Sequence, residues 1–529
     1  MCSAPGPQEA PYGHSQQETI FHRSRDCSKR TAKQACSAVF SRGSIRPASP
    51  GICVTREPGA TAALRSLPAE NYQRQQRHGQ EEVTRMNKWE EEYKRKLTSP
   101  EAVAKTIVDG DKLFCGSGSS APTGILDALF DRADELNDVV FGGLIMLAPT
   151  YKILSKEMRR HIRFDNLFAT PLDRQALHDG ICEHIPFHFS DLPRLASEYA
   201  DYRTVITQVG PMDRHGYMSA GVSGNFLDVL HELDRLVVEV NENQPTVHGR
   251  NFYHISQVDA AVEHHTPLLD LPPEPITDTD RAIAENIVKY IDDGDTIQLG
   301  IGAVPNAIGE CLLEKKHLGC YTEMIPDAIM KLFEAGALDN TKKTWYPYQF
   351  NAFFAGGSNE LYRWLDGNPM VFFSPISYNN DSNNVAKNDN MVAINATLEI
   401  DITGQCCSEA IGPYQYSATG GQVDFTRGAY MASGGRAFIA THSTTFDKSA
   451  GETVSKIVPQ LKPGATVTLT RTDVMYVATE YGVVNLKGKT LRERAQALIS
   501  IAHPDFRDEL IRYAKDIKYF VLPEHEKLG

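Results

Sequence analysis

One pattern of turns, strand and helices occurs twice in this chain of 529 residues, and it constrains the fold more than any other feature. Residues 99–129 and 277–312 both read as a helix, an Asp-Gly-Asp turn, an apolar strand, a Gly-x-Gly loop, a proline and a second helix. The turn and loop residues correspond in order: Asp109-Gly110-Asp111 to Asp293-Gly294-Asp295, Gly116 and Gly118 to Gly300 and Gly302, and Pro122 to Pro305 after one inserted residue. The repeat predicts two α/β domains of similar topology.

The rest of the chain from Met86 onward alternates helical patterns with short β-branched runs. These runs are Arg203–Gln208, Leu236–Val240, Thr296–Leu299, Met370–Phe373, Ala437–Ala440 and Thr466–Thr470. The alternation predicts mostly parallel sheets. Three prolines between Leu268 and Thr277 indicate a linker. We therefore expect an N-terminal domain over residues 86–270 and a C-terminal domain over residues 271–529.

Residues 1–85 show no sustained periodicity and are rich in Pro, Gly, Ser, Gln and Arg, so we expect a poorly ordered leader. Between Thr19 and Arg56, eight Lys or Arg and six Ser accompany a single acid, which is typical of an organelle transit peptide. The first eighteen residues fit that class less well, since they hold two glutamates and no arginine. Two locations stay open: the mitochondrial matrix or a related organelle, and the cytosol, with translation starting near Met86.

Composition excludes several classes of protein. The longest apolar stretch, Val139 to Ala148, is about half of a membrane span, so no membrane-spanning helix is expected. A net charge of −13 argues against a general nucleic-acid-binding surface. Cysteine and histidine spacings match no metal site, so we expect none.

The second Gly-x-Gly loop, Gly300 to Pro305, is a candidate anion site, because a loop between a strand and a helix directs backbone N–H groups at an anion. It is not a full dinucleotide fingerprint, since Pro305 stands where the third glycine belongs. Phosphate and pantetheine ligands both stay open.

Glu323 follows Gly300 by 23 residues, a spacing that lets one strand–helix–strand unit return it beside the loop. Its neighbours are apolar or aromatic, and a carboxylate in an apolar cleft can act as a nucleophile. A solvated surface carboxylate is the alternative. Gly420 and Gly421 permit close approach of backbone to a ligand and could supply oxyanion donors, or could form an ordinary tight turn.

These segments together resemble the acetyl-CoA hydrolase/transferase family, closest to its 4-hydroxybutyrate and butyryl-CoA:acetate CoA-transferase branch. The resemblance covers about residues 95–515 and rests on five motifs in family order: GIGAVPNAI, YTEM, NDNMVAINATLEIDITGQ, TGGQVDFTRGA and TLRERAQALISIAHPDFRDEL. It implies a tandem pair of similar open α/β CoA-transferase domains of the NagB/RpiA/CoA-transferase-like fold.

The resemblance also implies roles for single residues. The nucleophile of the TEM motif falls on Glu323, and a further asparagine falls on Asn379 or Asn380. Tyr321 stands where related enzymes often have histidine, which leaves the shape of the acyl pocket open. Coenzyme A contacts fall on Gly300, Ile301, Gly302, Ala303, Val304, on the strand bearing Leu398, and on Gly421.

The expected activity is transfer of CoA between an acyl-CoA and a short-chain carboxylate, with acetate as one partner, through an anhydride and a glutamyl-CoA thioester. CoA is then a substrate, no tightly bound cofactor or metal is needed, and a homo-oligomer is implied by the resemblance. The alternatives are an acyl-CoA hydrolase on the same scaffold and a non-catalytic acyl-CoA-binding protein.

Two further predictions concern the surroundings of this site. The first Gly-x-Gly loop, including Gly118, is expected to face the same cleft and to line the acid pocket. Arg427, Arg436 and Lys387 are candidate cations for the CoA phosphates, with solvated surface positions as the alternative.

Overall fold

The computed structural model describes residues 87–519, except positions 117, 146–149, 225, 227, 229–231 and 449. The leader 1–85, and with it the prediction of an organelle location, lies outside the described residues. All of the described residues belong to one compact unit, which holds two α/β halves.

The first half contains an eight-stranded parallel sheet in the order β5-β4-β3-β2-β6-β8-β10-β1 and a hairpin of β7 with β9. Its strands are β1 Leu97–Thr98, β2 Lys112–Cys115, β3 Val139–Gly143, β4 Ile162–Asn166, β5 Glu183–His184, β6 Thr204–Val209, β7 Tyr217–Ser219, β8 Arg235–Val240, β9 Phe252–His254 and β10 Ala260–Glu263.

The second half contains a six-stranded sheet in the order β12-β11-β17-β22-β26-β27, parallel except for the final hairpin. The smaller pairings are β13 with β15, β14 with β16, β18 with β19 and β25, β20 with β21, and β23 with β24. The strands are β11 Thr296–Gln298, β12 Gly319–Cys320, β13 Met324–Ile325, β14 Phe350–Ala352, β15 Phe354–Ala355, β16 Val371–Phe373, β17 Met391–Ala396, β18 Glu399–Asp401, β19 Cys406–Cys407, β20 Ala410–Ile411, β21 Tyr414–Gln415, β22 Arg436–Ala440, β23 Thr444–Asp447, β24 Glu452–Ser455, β25 Ile457–Val458, β26 Tyr476–Thr479 and β27 Gly482–Asn485.

The two halves share one strand order. A parallel bridge between Tyr321 and Asn351 joins β14 to the end of β12, which extends the second sheet to β16-β14-β12-β11-β17-β22-β26-β27. Each sheet therefore has the strand of the repeat, β2 or β11, at the fourth position from the same edge. The halves differ at the opposite edge, where β1 is parallel to its neighbour and β27 is antiparallel.

Helices pack against these sheets, and two of them, Asp278–Val288 and Leu491–Ser500, begin with a capping box. The helices are Lys88–Lys96, Pro100–Ala104, Thr123–Asp131, Arg174–His178, Leu192–Arg194, Asp278–Val288, Ala303–Cys311, Asp327–Glu334, Asn359–Leu365, Ile376–Asn379, Ser382–Val385, Gln422–Met431, Leu491–Ser500 and Pro504–Asp516, with short 3-10 turns and one π turn, Leu195–Tyr199, between them. Strands β6 and β22 are buried along nearly their whole length, as expected for parallel strands covered on both faces.

Both copies of the repeat fold in the same way. The glycine of each Asp-Gly-Asp turn, Gly110 or Gly294, has a positive φ, of 81° and 86° respectively. The second glycine of each Gly-x-Gly loop, Gly118 or Gly302, also has a positive φ, of 77° and 117°. Since this backbone region favours glycine, the repeated glycines are explained by the turns that they form.

Two predicted strands were wrong. Thr466–Thr470 forms no strand and contributes only a bridge from Leu469 to Cys406, because this segment passes beside β19 without a continuous ladder. The strand expected to bear Leu398 is interrupted, so that Leu398 lies in the bend between β17 and β18. The backbone N–H of Leu398 donates instead to the carbonyl of Cys407.

No described helix is both long and apolar enough to cross a membrane. Over the same part of the chain, no three His, Cys, Asp or Glu side chains are grouped so that they could hold a metal ion.

Candidate active site

Glu323 lies between the end of β12 and β13. Hydrogen bonds of its own carbonyl and of the preceding Thr322 side chain fix this segment. Its carbonyl accepts hydrogen bonds from the N–H groups of Phe353, at 2.9 Å, and Phe354, at 3.3 Å. The preceding hydroxyl, Thr322 Oγ1, is 3.2 Å from the carbonyl oxygen of Leu299 and 3.0 Å from that of Met324. Because Leu299 directly precedes Gly300, this contact places Thr322, the residue before Glu323, next to the start of the second Gly-x-Gly loop.

The carboxylate of Glu323 is contacted by two hydrogen-bond donors. The side-chain amide of Asn380 donates from Nδ2 to Oε2 over 2.6 Å, and the backbone N–H of Gly421 donates to the carboxylate as well. Asn379, the other asparagine considered, donates instead to the carbonyl of Thr322 at 2.8 Å. The structure therefore brings Asn380 to the carboxylate and places Asn379 at the backbone of Thr322, the residue before Glu323.

Gly421 has no room for a side chain. A Cβ built on it would lie 2.1 Å from Oε2 of Glu323 and 2.5 Å from Nδ2 of Asn380. Its φ of −91° is open to any residue, so the requirement for glycine comes from the approach of the carboxylate and not from the backbone.

The pKa of Glu323 is raised to about 8, mainly by burial and in smaller part by the nearby charge of Asp424. The hydrogen bonds from Asn380 and Gly421 act in the opposite direction, because they stabilise the charged form. The site thus holds a carboxyl group in an apolar environment and supplies two donors for its anion. Such an environment favours a nucleophile that loses charge as it reacts.

The first half of the chain holds the glycine loop in place. The carbonyl of Gly420 accepts from the N–H of Phe189, and the carboxylate of Asp424 accepts from both the N–H and the hydroxyl of Ser190. Asp424 lies in the first turn of the helix Gln422–Met431, directly after the loop. Gly420 itself has a positive φ of 55°.

Sequence reasoning missed Asp424 and Ser190. Asp424 stood inside the quoted TGGQVDF motif, so the motif was the available signal for it. Ser190 lies 234 positions away in the chain, and nothing in its own segment pointed to this contact.

The segment from Gly300 to Val304 is partly exposed and runs into the first turn of a helix, where Val304 packs against the core. Gly302 is the N-cap of Ala303–Cys311 and makes no side-chain cap, while Ile301 is 69% exposed. A Cβ on Gly300 would meet no atom within 4 Å. Backbone N–H groups and an exposed apolar side chain at a helix N-terminus suit an anionic ligand with an apolar arm.

The remaining candidates for CoA contact differ in their burial and in their partners. Leu398 is half-buried, and the carbonyl of nearby Ala396 accepts from the side-chain amide of Gln422. The three candidate cations already have partners, so the structure gives them roles within the protein. Arg427 pairs with Asp473, Arg436 with Asp295, and Lys387 with Asn384.

Gly118, the candidate from the first copy of the repeat, faces a small cavity and not a ligand-binding helix terminus. The N-terminus of the following helix, Thr123–Asp131, is occupied by the protein's own carboxylate. Glu239 Oε2 accepts from the N–H of Ile125 at 3.0 Å, and Oε1 accepts from Nε2 of Gln208 at 3.1 Å. Burial raises the pKa of Glu239 to about 7, while these donors lower it.

Comparison with known proteins agrees with this arrangement. Sequence models of the acetyl-CoA hydrolase/transferase N-terminal and C-terminal domains match residues 80–270 and 357–514. The chain is 40% identical to a succinyl-CoA:cyclohexane-1-carboxylate CoA transferase of Geobacter metallireducens, over 81% of this chain and 97% of the relative. It is 42% identical to a 4-hydroxybutyrate coenzyme A transferase of Clostridium kluyveri, over 81% and 99% of the two chains.

Solved structures are similar over the same region. RipA from Yersinia pestis superposes with a TM-score of 0.77 at 37% identity, over 82% of this chain and all of that one. A 4-hydroxybutyrate CoA-transferase from Porphyromonas gingivalis superposes with a TM-score of 0.69 at 33% identity, over 81% of this chain and all of that one. The sequence matches, the shared fold and the tandem arrangement together show that the chain belongs to the acetyl-CoA hydrolase/transferase family.

Proposed function

We propose that this protein transfers CoA between an acyl-CoA and a short-chain carboxylic acid, with acetate as one of the acids and Glu323 as the nucleophile. One observation carries the proposal: Oε2 of Glu323, Nδ2 of Asn380 and the backbone of Gly421 converge in a space that admits no additional Cβ. Relatives named as CoA-transferases at 36–42% identity support it.

The reaction begins when the Glu323 carboxylate attacks the carbonyl carbon of the acyl-CoA. The C–S bond breaks, and an acyl–glutamyl anhydride and CoA thiolate form. The thiolate then attacks the glutamyl carbonyl carbon, so the first carboxylate leaves and a glutamyl-CoA thioester remains. A second carboxylate attacks this thioester, and the same two steps run in reverse. The thioester bond energy is retained on the enzyme throughout, so CoA enters as substrate and no ATP is consumed.

Asn380 and Gly421 have a defined part in this sequence. Both lie against Oε2 of Glu323, which makes Oε2 the oxygen that carries negative charge when the glutamyl carbon becomes tetrahedral. Oε1 is then the atom that forms the new bond. Loss of one donor of this kind costs about 100- to 1000-fold in rate.

We expect CoA to bind at the second Gly-x-Gly loop. Its exposed backbone N–H groups between Gly300 and Val304 can receive a phosphate, and the exposed side chain of Ile301 can pack on the apolar arm. Leu398 and Gly421 complete the proposed contacts at the reacting end.

Isotope exchange tests the function. Purified protein is mixed with propionyl-CoA and radiolabelled acetate, and we expect label in acetyl-CoA with ping-pong kinetics. Glu323→Ala should abolish the exchange, whereas Glu334→Gln, an exposed control at the end of the helix Asp327–Glu334, should leave it unchanged. Substantial exchange by Glu323→Ala would overturn the assignment of the nucleophile.

The covalent intermediate can be trapped independently. Borohydride reduction of protein incubated with acyl-CoA alone should convert Glu323 to its alcohol, which a peptide mass spectrum detects. Full modification at a different residue would contradict the proposed chemistry.

Hydrolysis of acyl-CoA is the second candidate, with water in place of the second acid. It is favoured by two relatives named acetyl-CoA hydrolase, from Yarrowia lipolytica and Saccharomyces cerevisiae, at 24% and 26% identity. Both reactions use Glu323, so the isotope experiment separates them: release of free thiol without label in acetyl-CoA means hydrolysis.

A further inference from the structure

Lys343 is a buried lysine to which the proposed mechanism gives no part. Only 3% of the residue is exposed, and its amine forms no ion pair with a carboxylate in the part of the chain that the structure describes. Burial lowers the pKa of this amine to about 7, because the charged form loses its water. Since a buried cation without a counter-ion costs free energy, its partners indicate what it does.

Two oxygens and one aromatic ring surround the amine of Lys343. Nζ donates to the carbonyl of Gln349 over 2.6 Å and to Oδ1 of Asn351. The centroid of the Tyr321 ring is 5.5 Å from Nζ, within the range of a cation–π contact. The neutral amine still has two N–H donors for these two oxygens, so both hydrogen bonds persist when the proton is lost.

The side chain of Lys343 connects two neighbouring strands. A Cβ on Gly319, the first residue of β12, would lie 3.3 Å from both Cβ and Cγ of Lys343, so the stem packs on the backbone of β12. The amine at the other end reaches Asn351 in β14. Among the described residues, β12 and β14 meet in an isolated bridge, between Tyr321 and Asn351, and not in a continuous ladder. Lys343 therefore strengthens a weakly paired point of the sheet.

Strand β14 in turn fixes the backbone on both sides of the Glu323 carboxylate. The carbonyl of Asn351 accepts from the N–H of Thr322 over 3.0 Å. Phe353, which directly follows β14, donates its N–H to the carbonyl of Glu323 over 2.9 Å. A displacement of β14 would therefore move Glu323 relative to the donors that contact its carboxylate.

We propose that Lys343 is a positioning residue for the nucleophile: its amine holds Asn351, and through β14 it fixes the backbone from which Glu323 attacks. The inference rests on the proposed function and adds to it a residue buried behind the site. An apolar side chain of the same length could fill the space, but it would leave the carbonyl of Gln349 and Oδ1 of Asn351 without this donor.

Lys343→Met tests the amine, because methionine keeps a stem of similar length and has no donor. With propionyl-CoA and labelled acetate, we expect kcat to fall about 10- to 100-fold, since a reacting group displaced by about 1 Å can lose about 100-fold in rate. The KM for acyl-CoA should change by less than about twofold, because the change affects the attack and not the binding. An unchanged kcat, or a loss confined to KM, would overturn the inference.

Lys342→Met is the matched control. Lys342 directly precedes Lys343 and has the same side chain, but it is exposed. Its replacement should leave kcat unchanged. An equal fall in kcat in both variants would contradict a specific role of the buried amine.

Asn351 gives a second test, which does not depend on the folding of Lys343→Met. Asn351→Asp keeps an oxygen acceptor for Nζ and should retain kcat within about threefold, whereas Asn351→Leu removes the acceptor and should lower kcat about as far as Lys343→Met does. The protein with both Lys343→Met and Asn351→Leu should be no slower than the slower single variant, since both changes break one contact. Losses that multiply in the double variant would contradict the connection.

Single-turnover trapping separates positioning from a loss of folded protein. At saturating acyl-CoA, the rate at which borohydride-trapped Glu323 accumulates should fall in Lys343→Met as kcat does, while the final trapped fraction equals that of wild type. A smaller fraction trapped at an unchanged rate would overturn the inference. Absence of transfer by folded wild-type protein rejects the proposed function itself, whereas an unaffected Lys343→Met beside an active wild type rejects only the role of Lys343.

Discussion

At the scale of single residues, the space around Gly421 decides what the nucleophile can contact. Gly421→Ala should lower kcat at least about 100-fold, because the new Cβ would displace Oε2 of Glu323 and the amide of Asn380. Steady-state kinetics with propionyl-CoA and acetate measure the loss.

Gly300→Ala is the informative comparison. Its Cβ meets nothing within 4 Å, so the fold and Glu323 should be undisturbed, and only the KM for acyl-CoA should rise if ligand approaches the loop closely. Equal kcat for Gly421→Ala and wild type would contradict the crowding inferred at the carboxylate.

The pKa of Glu323 gives a second prediction at this scale. Attack requires the carboxylate, and its pKa is raised to about 8, so kcat/KM for acyl-CoA should increase with pH and level off above about pH 8. Asn380→Ala removes a donor to the anion and should move this limb to higher pH. Asp424→Asn removes a neighbouring negative charge and should move it to lower pH.

Because Asn380→Ala and Asp424→Asn should shift the pH profile in opposite directions, each variant serves as a control for the other. A general loosening of the site would move both limbs in one direction or neither, and that outcome would exclude the assigned electrostatics. The pH–rate profiles of the free enzyme provide the measurement.

At the scale of elements, the helix Gln422–Met431 carries the glycine loop but is fixed from the other half of the chain. Ser190→Ala removes the hydroxyl donor to Asp424 and leaves the backbone donor in place. We expect a loss of about 1 kcal/mol in stability and about a tenfold fall in kcat, because the loop that precedes the helix becomes less well positioned.

Ser197→Ala controls for the loss of a buried hydroxyl. Ser197 bonds the carbonyl of Pro193 within its own helical segment and touches neither Asp424 nor the loop through this bond. Denaturant unfolding and steady-state rates on both variants separate the effects: an equal fall in kcat in both would argue against the bond across the halves.

Sequence alone predicted some of these elements and missed others. The repeated turns could be placed because Asp, Gly and Pro act locally, and both glycines of the Asp-Gly-Asp turns take a positive φ, which glycine adopts readily. The structure of Thr466–Thr470 could not be predicted in this way, since a β-branched run becomes a strand only where a neighbouring strand pairs with it. Glu323 was identified from its motif, whereas the partnership of Ser190 with Asp424 depends on docking of the halves, which no local pattern encodes.

At the scale of the whole molecule, the shared strand order allows position-by-position comparison of the halves. Counting from the Asp-Gly-Asp turns through the paired strands, Gln208 corresponds to Ala396 and Glu239 to Ala440. The first half thus has a carboxylate and an amide where the second has two alanines. The large polar pair occupies the helix N-terminus of the first half, whereas the N-cap of the equivalent helix in the second half, Gly302, has no side-chain cap.

This difference predicts one CoA per chain. Titration calorimetry on the wild-type protein should give a stoichiometry of one, and Glu239→Gln should keep it at one because the amide still occupies the space. Gly300→Ala should weaken that single binding event. Two equivalent binding events per chain would contradict the difference between the halves.

The duplicated fold presents two helix N-termini at equivalent positions, but Glu239 occupies the one in the first half, so we expect a single CoA site among the described residues. A ping-pong exchange needs no more, since the acids come and go while the CoA moiety is kept by the enzyme between half-reactions. The first half instead contributes Gly118 to a small apolar cavity. On the proposed function, the second half binds CoA and carries Glu323, while the first half holds the glycine loop in position through Phe189 and Ser190.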